Sequence, residues 1–313
     1  MEPSLDILSK EDVKKCINAE VLMEKLEFAL ADYSKGEDGG TQQPLRLTIP
    51  VDHYKGRQFV MSAFSQRENA LATKVVGFYP ENKDEPTHPS DIMLYNPLNG
   101  SLQAIMDGTV ITEYRTGLVS AIASKHLANP TSKILAILGS GVQCTGHFNA
   151  LSLLYNFDDV RIWNINIQSA EIAAKKLGKP CRVCTTAEEA VKDADIICTV
   201  TSTSTPVLNK DWVKPGCHIN SVGAVKPKWQ ELESDLMRSS VVYVDSKEAA
   251  CQETGDIIIS KCEIYAEIGE VINGQKEARW HETTVFKSVG KLSHKKYIFI
   301  KYLNKLIYLY SQL

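Results

Sequence analysis

The 313 residues carry 35 Lys and Arg against 38 Asp and Glu, a formal net charge of −3, so the chain as a whole exerts no pull on nucleic acid or anionic lipid. Hydrophobic residues at 43% and charged residues at 23% exclude wholesale disorder, and no apolar run reaches the roughly 18 residues of a membrane span. At about 150 residues per domain this length predicts two domains, and the balance favours small-molecule chemistry.

The first element follows a capping-box pattern, Ser9 with Asp12, after which Val13, Ile17, Leu22, Leu26 and Leu30 keep helical spacing up to "KGEDGG". One helix of about five turns is expected. The segments "PLRLTIPV", "QFVMSAF" and "ATKVVGFY" are short and β-rich, and "DIMLYNPLNGSLQAIMDG" sets Asn99-Gly100 between two apolar runs as a hairpin signal. A mostly antiparallel region is therefore predicted. From Thr112 a helix "TEYRTGLVSAIASKHLA" runs to the stop at Asn129-Pro130.

Beyond it, "ILAIL", "VRIWN", "CRVC", "DIICTV", "HINSVG" and "VVYVD" alternate with helical segments such as "SAEIAAKKLG" and "AEEAVKDA". That alternation predicts a Rossmann-type, doubly wound parallel sheet, giving an α/β fold with a smaller, mostly antiparallel α+β domain in front. The expected limits are 1–116 for this smaller domain, with 286–313 returning to it, and 117–285 for the parallel-sheet domain. None of the eight cysteines suggests a disulfide in a chain whose start, "MEPSLDILSKEDVKKC", is charged throughout; reduced thiols and a cytoplasmic location are expected. Cys181-Arg182-Val183-Cys184 has metal or redox spacing, but "CRVCTT" reads as a short strand and no metal site is predicted.

In "KILAILGSGVQCTG" a strand breaks into Gly139-Ser140-Gly141. The first glycine of a dinucleotide turn permits the bend, the second lets backbone approach the pyrophosphate, and the third allows close helix packing; here Cys144 takes the third place. The helix that follows would turn its free N–H groups toward phosphate. The second strand ends in Trp163-Asn164-Ile165-Asn166, without a carboxylate to repel a 2′-phosphate and without an arginine to recruit one.

Four residues in the first half are candidates for a site facing the cofactor. Arg115, read into the first turn of its helix, faces the positive end of the macrodipole, which an anion contact would offset; a surface arginine is the alternative. Lys74, inside an apolar strand, either has a buried partner or snorkels from an edge. Arg46 alternates with Leu45 and Leu47 and reads as solvated, and His88 in "PTHPSD" reads as a loop residue.

Together, "PLRLTIPV", "ATKVVGFY", "LNGSLQAIMDG", "VITEYRTGLVSAIASKHL", "ILGSGVQ", "VRIWN", "VKPGCHINSVGAVKPKWQEL", "VYVDSKEAA", "ETGD", "AEIGEVINGQK" and "TTVFKSVG" resemble the ornithine cyclodeaminase and mu-crystallin family from the first helix to Gly290. The resemblance implies a homodimeric NAD(P)H-dependent ketimine reductase for cyclic imine carboxylates, with NADPH as cofactor and NADH as an alternative, and thyroid hormone as a further ligand. It makes Lys74 and Arg115 catalytic and Arg46, Lys74 and Arg115 the substrate contacts. It places cofactor contacts at Thr87, His88, Gly139, Ser140, Gly141, Val142, Gln143, Asn164, Thr201, Ser202, Val222 and Ser288. The competing functions are a hormone-binding protein without turnover and an ornithine cyclodeaminase or alanine dehydrogenase.

Two departures matter. The family's arginine after the strand-end asparagine is Ile165 here, and the aspartate of cyclodeaminases, after the glycine of "INAVGG", is Val225. After "TTVFKSVG" the resemblance stops, and "KLSHKKYIFIKYLNKLIYLYSQL" is rich in residues of A/T-rich codons, which suggests intron read-through or an alternative end. Phe299, Leu303, Leu306, Tyr310 and Leu313 also fit an amphipathic helix.

Overall fold

Ser9 and Asp12 form the expected capping box: Asp12 N–H donates to Ser9 Oγ (3.3 Å) and Ser9 N–H to the Asp12 carboxylate (3.1 Å), opening α1 (Lys10–Cys16). The expected single helix is two. The chain leaves the helical region at Ile17, and Asn18 Oδ1 accepts from Val21 N–H (3.0 Å) to begin α2 (Ala19–Tyr33). Asparagine competes with the helical backbone and prefers such a cap. The five-residue step from Ile17 to Leu22 marked the break.

The computed structural model describes residues 5–44 and 46–290, so the expectation about the tail from Lys291 lies outside the described residues. The described chain falls into two compact units that divide between Arg115 and Thr116. In the first, β1 (Asp6–Leu8), β2 (Thr41–Gln42), β3 (Leu47–Val51), β4 (Gly56–Ser65), β5 (Ala70–Phe78), β6 (Ser90–Tyr95) and β7 (Leu102–Asp107) form one sheet. Its order is β1-β7-β6-β5-β4-β2, with β3 also on β4; only β1 on β7 is parallel among these pairings. The Asn99-Gly100 turn joins β6 to β7, with Gly100 at φ +75° and its N–H on Asn96 O (2.8 Å).

One face of this sheet is buried and alternates as a strand must: Met61 and Ala63, Ala70, Ala72 and Lys74, Ile92 and Leu94, Ala104 and Met106. The next helix, α3 (Thr109–Leu127), begins three residues before the expected Thr112, because Asp107 Oδ1 accepts from Thr109 N–H (3.0 Å) and Val110 N–H (3.1 Å). Arg115 therefore stands in the second turn. The macrodipole argument for it, which decays within the first turn, does not apply.

The second unit holds β8 (Ile134–Leu138), β9 (Asp159–Trp163), β10 (Arg182–Val183), β11 (Ile196–Thr199), β12 (His218–Ser221), β13 (Val241–Val244), β14 (Ile264–Glu267) and β15 (Thr284–Lys287). They pair in parallel in the order β10-β9-β8-β11-β12-β15-β13-β14. Between them run α4 (Val142–Leu151), α5 (Ile167–Lys176), α6 (Ala187–Val191), α7 (Ser234–Ser239), α8 (Lys247–Glu253), α9 (Gly255–Ser260) and α10 (Ile268–Ile272). The order reverses between β8 and β11, which creates the switch point of a doubly wound sheet. Leu138, Ile197, Ile219, Val242, Val244 and Val285 belong to one core cluster.

β14 and β15 were not foreseen as strands. Phe286 and Lys287 pair with β12 and β13, so the return to the first domain expected at 286 gives way to a buried central strand built from the β-branched and aromatic run "TTVF".

Candidate active site

In the first unit the sheet register puts Phe59, Met61, Lys74 and Ile92 on one face, since Lys74 lies opposite Met61 on β4 and Ile92 on β6. Lys74 is 1% exposed, so it does not snorkel. Its Nζ donates to Thr112 Oγ1, which in turn donates to Gly108 O (2.7 Å). Arg115 follows Thr112 by one turn of α3 and is 6% exposed. A buried ammonium and a buried guanidinium thus converge on one stretch of helix. Arg46 is half-buried with its guanidinium 5.3 Å from the centre of the Phe59 ring, whereas Leu47 beside it is 61% exposed, which reverses the solvated reading of Arg46.

Thr87 and His88 lie in the loop between β5 and β6, where Tyr79 N–H binds Thr87 O (2.9 Å). Thr87 Oγ1 and His88 Nδ1 are 2.9 Å apart and the His88 ring rests 5.0 Å from that of Phe78. Both residues are exposed.

In the second unit the remaining predicted contacts gather at one edge. Gly139 follows β8, Asn164 follows β9, Thr201 and Ser202 follow β11, Val222 follows β12 and Ser288 follows β15. Because these strands are parallel, all of these positions lie at the carboxyl ends, where open α/β sheets bind ligands. Gly139 has φ +116°, and a Cβ there would stand 2.9 Å from Val200 O, so the bend admits no side chain. A Cβ built on Gly141 would meet nothing within 4 Å, leaving its backbone open to a phosphate at the start of α4. Val142 is 62% exposed beside it, and Ser140 and Gln143 are half-buried.

Cys144 is fully buried, and burial pushes its thiol up to about 12, so it is inert packing. A close approach to α4 comes instead from α3, helix on helix: a Cβ on Gly117 would meet Gly146 O at 2.3 Å. His147 extends that crossing. Its Nδ1 donates to Gln143 O (2.8 Å), so its Nε2 accepts from the Ser120 hydroxyl (2.9 Å).

At the end of β9, Asn164 Nδ2 donates to Asn166 O (3.1 Å), while Asn166 caps α5 by accepting from Ser169 N–H (3.0 Å). Ile165 between them is 92% exposed.

A model of the ornithine cyclodeaminase/mu-crystallin family matches residues 4–295. The chain belongs to this family. Ketimine reductase mu-crystallin of Mus musculus is 48% identical over 286 residues, covering 90% of this chain and 91% of the relative. The structure of Thermococcus litoralis Delta(1)-pyrroline-2-carboxylate reductase in complex with NADH and L-proline is 35% identical, with a TM-score of 0.92 and 98% of each chain covered. An archaeal alanine dehydrogenase dimer with bound NAD is 29% identical, with a TM-score of 0.90 and 97% of each chain covered.

Within the family fold the sequence reading missed a set of buried charges. Lys287 Nζ lies 3.0 Å from Asp256 Oδ2, both side chains fully buried, and Ser221 Oγ donates to the same oxygen (2.8 Å). Asp256 Oδ1 accepts from the N–H groups of Glu231 (2.8 Å) and Leu232 (3.2 Å). Burial pushes the Glu231 carboxyl up, against the pull of the Lys287 charge and its own hydrogen bonds to Thr201. The signal was present in Lys287, a charge inside the apolar run "TTVFKSVG", the same signal that singled out Lys74.

Proposed function

We propose that the chain is an NAD(P)H-dependent ketimine reductase acting on cyclic imine carboxylates. Its family relatives make it an oxidoreductase acting on C=N bonds. The observation that carries the finer reading is that Lys74 and Arg115 are both buried, with Lys74 bonded to Thr112, one helical turn before Arg115 on α3. Two buried cations suit a small anion, and a guanidinium takes a carboxylate bidentately.

In this reading Arg115 and Arg46 bind the substrate carboxylate and fix the neighbouring C=N carbon. Lys74 donates a hydrogen bond or the proton to the imine nitrogen, for which its ammonium is the acid. Bound NAD(P)H supplies the hydride that the imine carbon receives. Carbon gains the hydride, nitrogen gains the proton, and a cyclic amino acid leaves. Val225 stands where cyclodeaminases place an aspartate, which weighs against cyclisation chemistry.

The cofactor contacts we propose are Gly139, Ser140, Gly141, Val142, Gln143, Asn164, Thr201, Ser202, Val222 and Ser288, with Thr87 and His88 as further ones. The open backbone at Gly141 and the start of α4 fit a pyrophosphate. NADPH is the proposed cofactor, with only a modest preference over NADH, because Ile165 offers the 2′-phosphate no charge. Changing Ile165→Arg should tighten NADPH alone by about tenfold, read as Kd by nicotinamide fluorescence. Equal effects on both cofactors would remove the adenosine phosphate from this strand end.

The same reading includes a homodimer, supported by the dimeric archaeal alanine dehydrogenase and by the exposed Leu47, Ile49 and Tyr54 on and after β3. It also includes a cytoplasmic location; among the described residues no helix is long and apolar enough to cross a membrane. Thyroid hormone, an aromatic amino acid, would share the carboxylate contact at Arg46. Purified protein mixed with piperideine-2-carboxylate and NADPH or NADH should consume the reduced nicotinamide, followed by its absorbance. Absence of turnover with either cofactor, despite cofactor binding, would overturn the ketimine reductase reading in favour of hormone binding or of the cyclodeaminase and alanine dehydrogenase alternatives.

A further inference from the structure

Glu231 is fully buried after β12, and its carboxylate accepts five hydrogen bonds from two different strand-end segments. Oε1 accepts from Thr201 N–H (2.6 Å) and Thr201 Oγ1 (2.6 Å), just past β11. Oε2 accepts from Gly223 N–H (2.6 Å) and Ala224 N–H (3.2 Å), just past β12, and from Thr199 Oγ1 (3.0 Å) at the end of β11. The fit is tight: a Cβ on Gly223 would stand 1.8 Å from Thr201 O and 2.5 Å from Glu231 Oε1. Asp256, itself held by Lys287, takes the backbone N–H of Glu231 and so fixes where that side chain starts.

We propose that Glu231 is the positioning residue for the nicotinamide end of the cofactor, locking the segments after β11 and β12 in one arrangement. This rests on the nucleotide role of that sheet edge. The segments it joins carry Thr201, Ser202 and Val222, whereas the glycine turn after β8, although packed against Val200, has a hydrogen bond of its own from Gly139 N–H to Trp163 O (2.8 Å). In a doubly wound sheet the adenosine half sits over the first strands and the turn, and the other half over the strands beyond the switch point. Loss of the clamp should therefore separate the two halves of the ligand. The Thr201, Gly223 and Ala224 N–H groups are consumed by Glu231, so recognition there falls to Ser202 and to the remaining groups of Thr201 and Val222, their carbonyl oxygens included.

The test is Glu231→Gln, which keeps the shape but turns an amide N–H₂ toward one of the two sets of donors. NADH and ADP-ribose, which lacks the nicotinamide, are titrated separately against full-length parent and variant. The clamp predicts about tenfold weaker NADH binding, as expected for a lost hydrogen bond to a charged group, with ADP-ribose affinity changed by less than about twofold. Equal loss for both ligands would mean a general structural role, and no loss for either would mean no role; both outcomes overturn the proposal. If Glu231→Gln does not fold, Thr199→Val removes one hydroxyl donor to Glu231 at a position not proposed to touch the cofactor, and should give the same NADH-selective loss at about threefold. Failure of the parent to bind NADH at all would instead overturn the nucleotide reading.

Discussion

The two sheets of this chain solve burial differently. In the parallel sheet β11, β12, β13 and β15 are buried at every residue, and even a charge there, Lys287, is matched by a buried carboxylate. In the antiparallel sheet β3 is exposed at four of its five residues, with Leu47 at 61% and Ile49 at 42% exposure. Among the described residues the second therefore leaves apolar surface uncovered where the first does not, which is the surface the proposed homodimer would bury.

The largest effect should come from breaking the closed sheet. Lys287→Ala leaves Asp256 as an uncompensated buried charge and should lower unfolding stability by about 3–5 kcal/mol, measured by urea denaturation. In contrast, Leu47→Ser combined with Ile49→Ser should cost the folded chain little. It should instead weaken self-association by about tenfold or more, read by sedimentation at several concentrations. If the Lys287 variant and the Leu47/Ile49 double variant both act on stability alone, the contrast between the sheets is wrong.

A smaller effect is pH dependent. His218 is fully buried between Thr284 (2.8 Å) and Asn220 (3.3 Å), and burial pushes its imidazole down to about 3 from an ordinary 6.5. Its folded pKa lies below the unfolded one, so this contribution to stability is complete above pH 6.5 and is lost as pH falls toward 3. Between pH 6 and 5 the slope should approach about 1.4 kcal/mol per pH unit, and His218→Gln should flatten it. An unchanged slope in the variant would mean that other groups govern acid sensitivity.

Much of the fold was legible because buried parallel strands are short apolar runs, and a capping box, an Asn-Gly turn and a glycine bend each have one physical meaning. The break at Asn18 and the early start of α3 were missed because caps are side-chain hydrogen bonds, from Asn18 and Asp107, that override hydrophobic spacing. β15 was not foreseen although "TTVF" is a β-rich run, because it is only four residues long and the buried Lys287 breaks its apolar pattern. Of the site, Lys74 was legible as a charge inside an apolar strand, while its bond to Thr112, one turn before Arg115, depends on how a strand and a helix pack. Glu231 and Asp256 gave no local sign, since their donors are mostly backbone N–H groups brought in from other elements.

The reading of the first unit as the carboxylate-binding unit is tested most directly by Arg115→Ala under steady-state conditions with a cyclic imine carboxylate. The Michaelis constant for the imine should rise by about 10- to 100-fold, the loss expected for a charge-assisted bidentate contact, while that for the nicotinamide cofactor stays within about twofold. Unchanged imine kinetics in a folded variant would contradict the account, because the buried guanidinium would then have no part in holding the substrate.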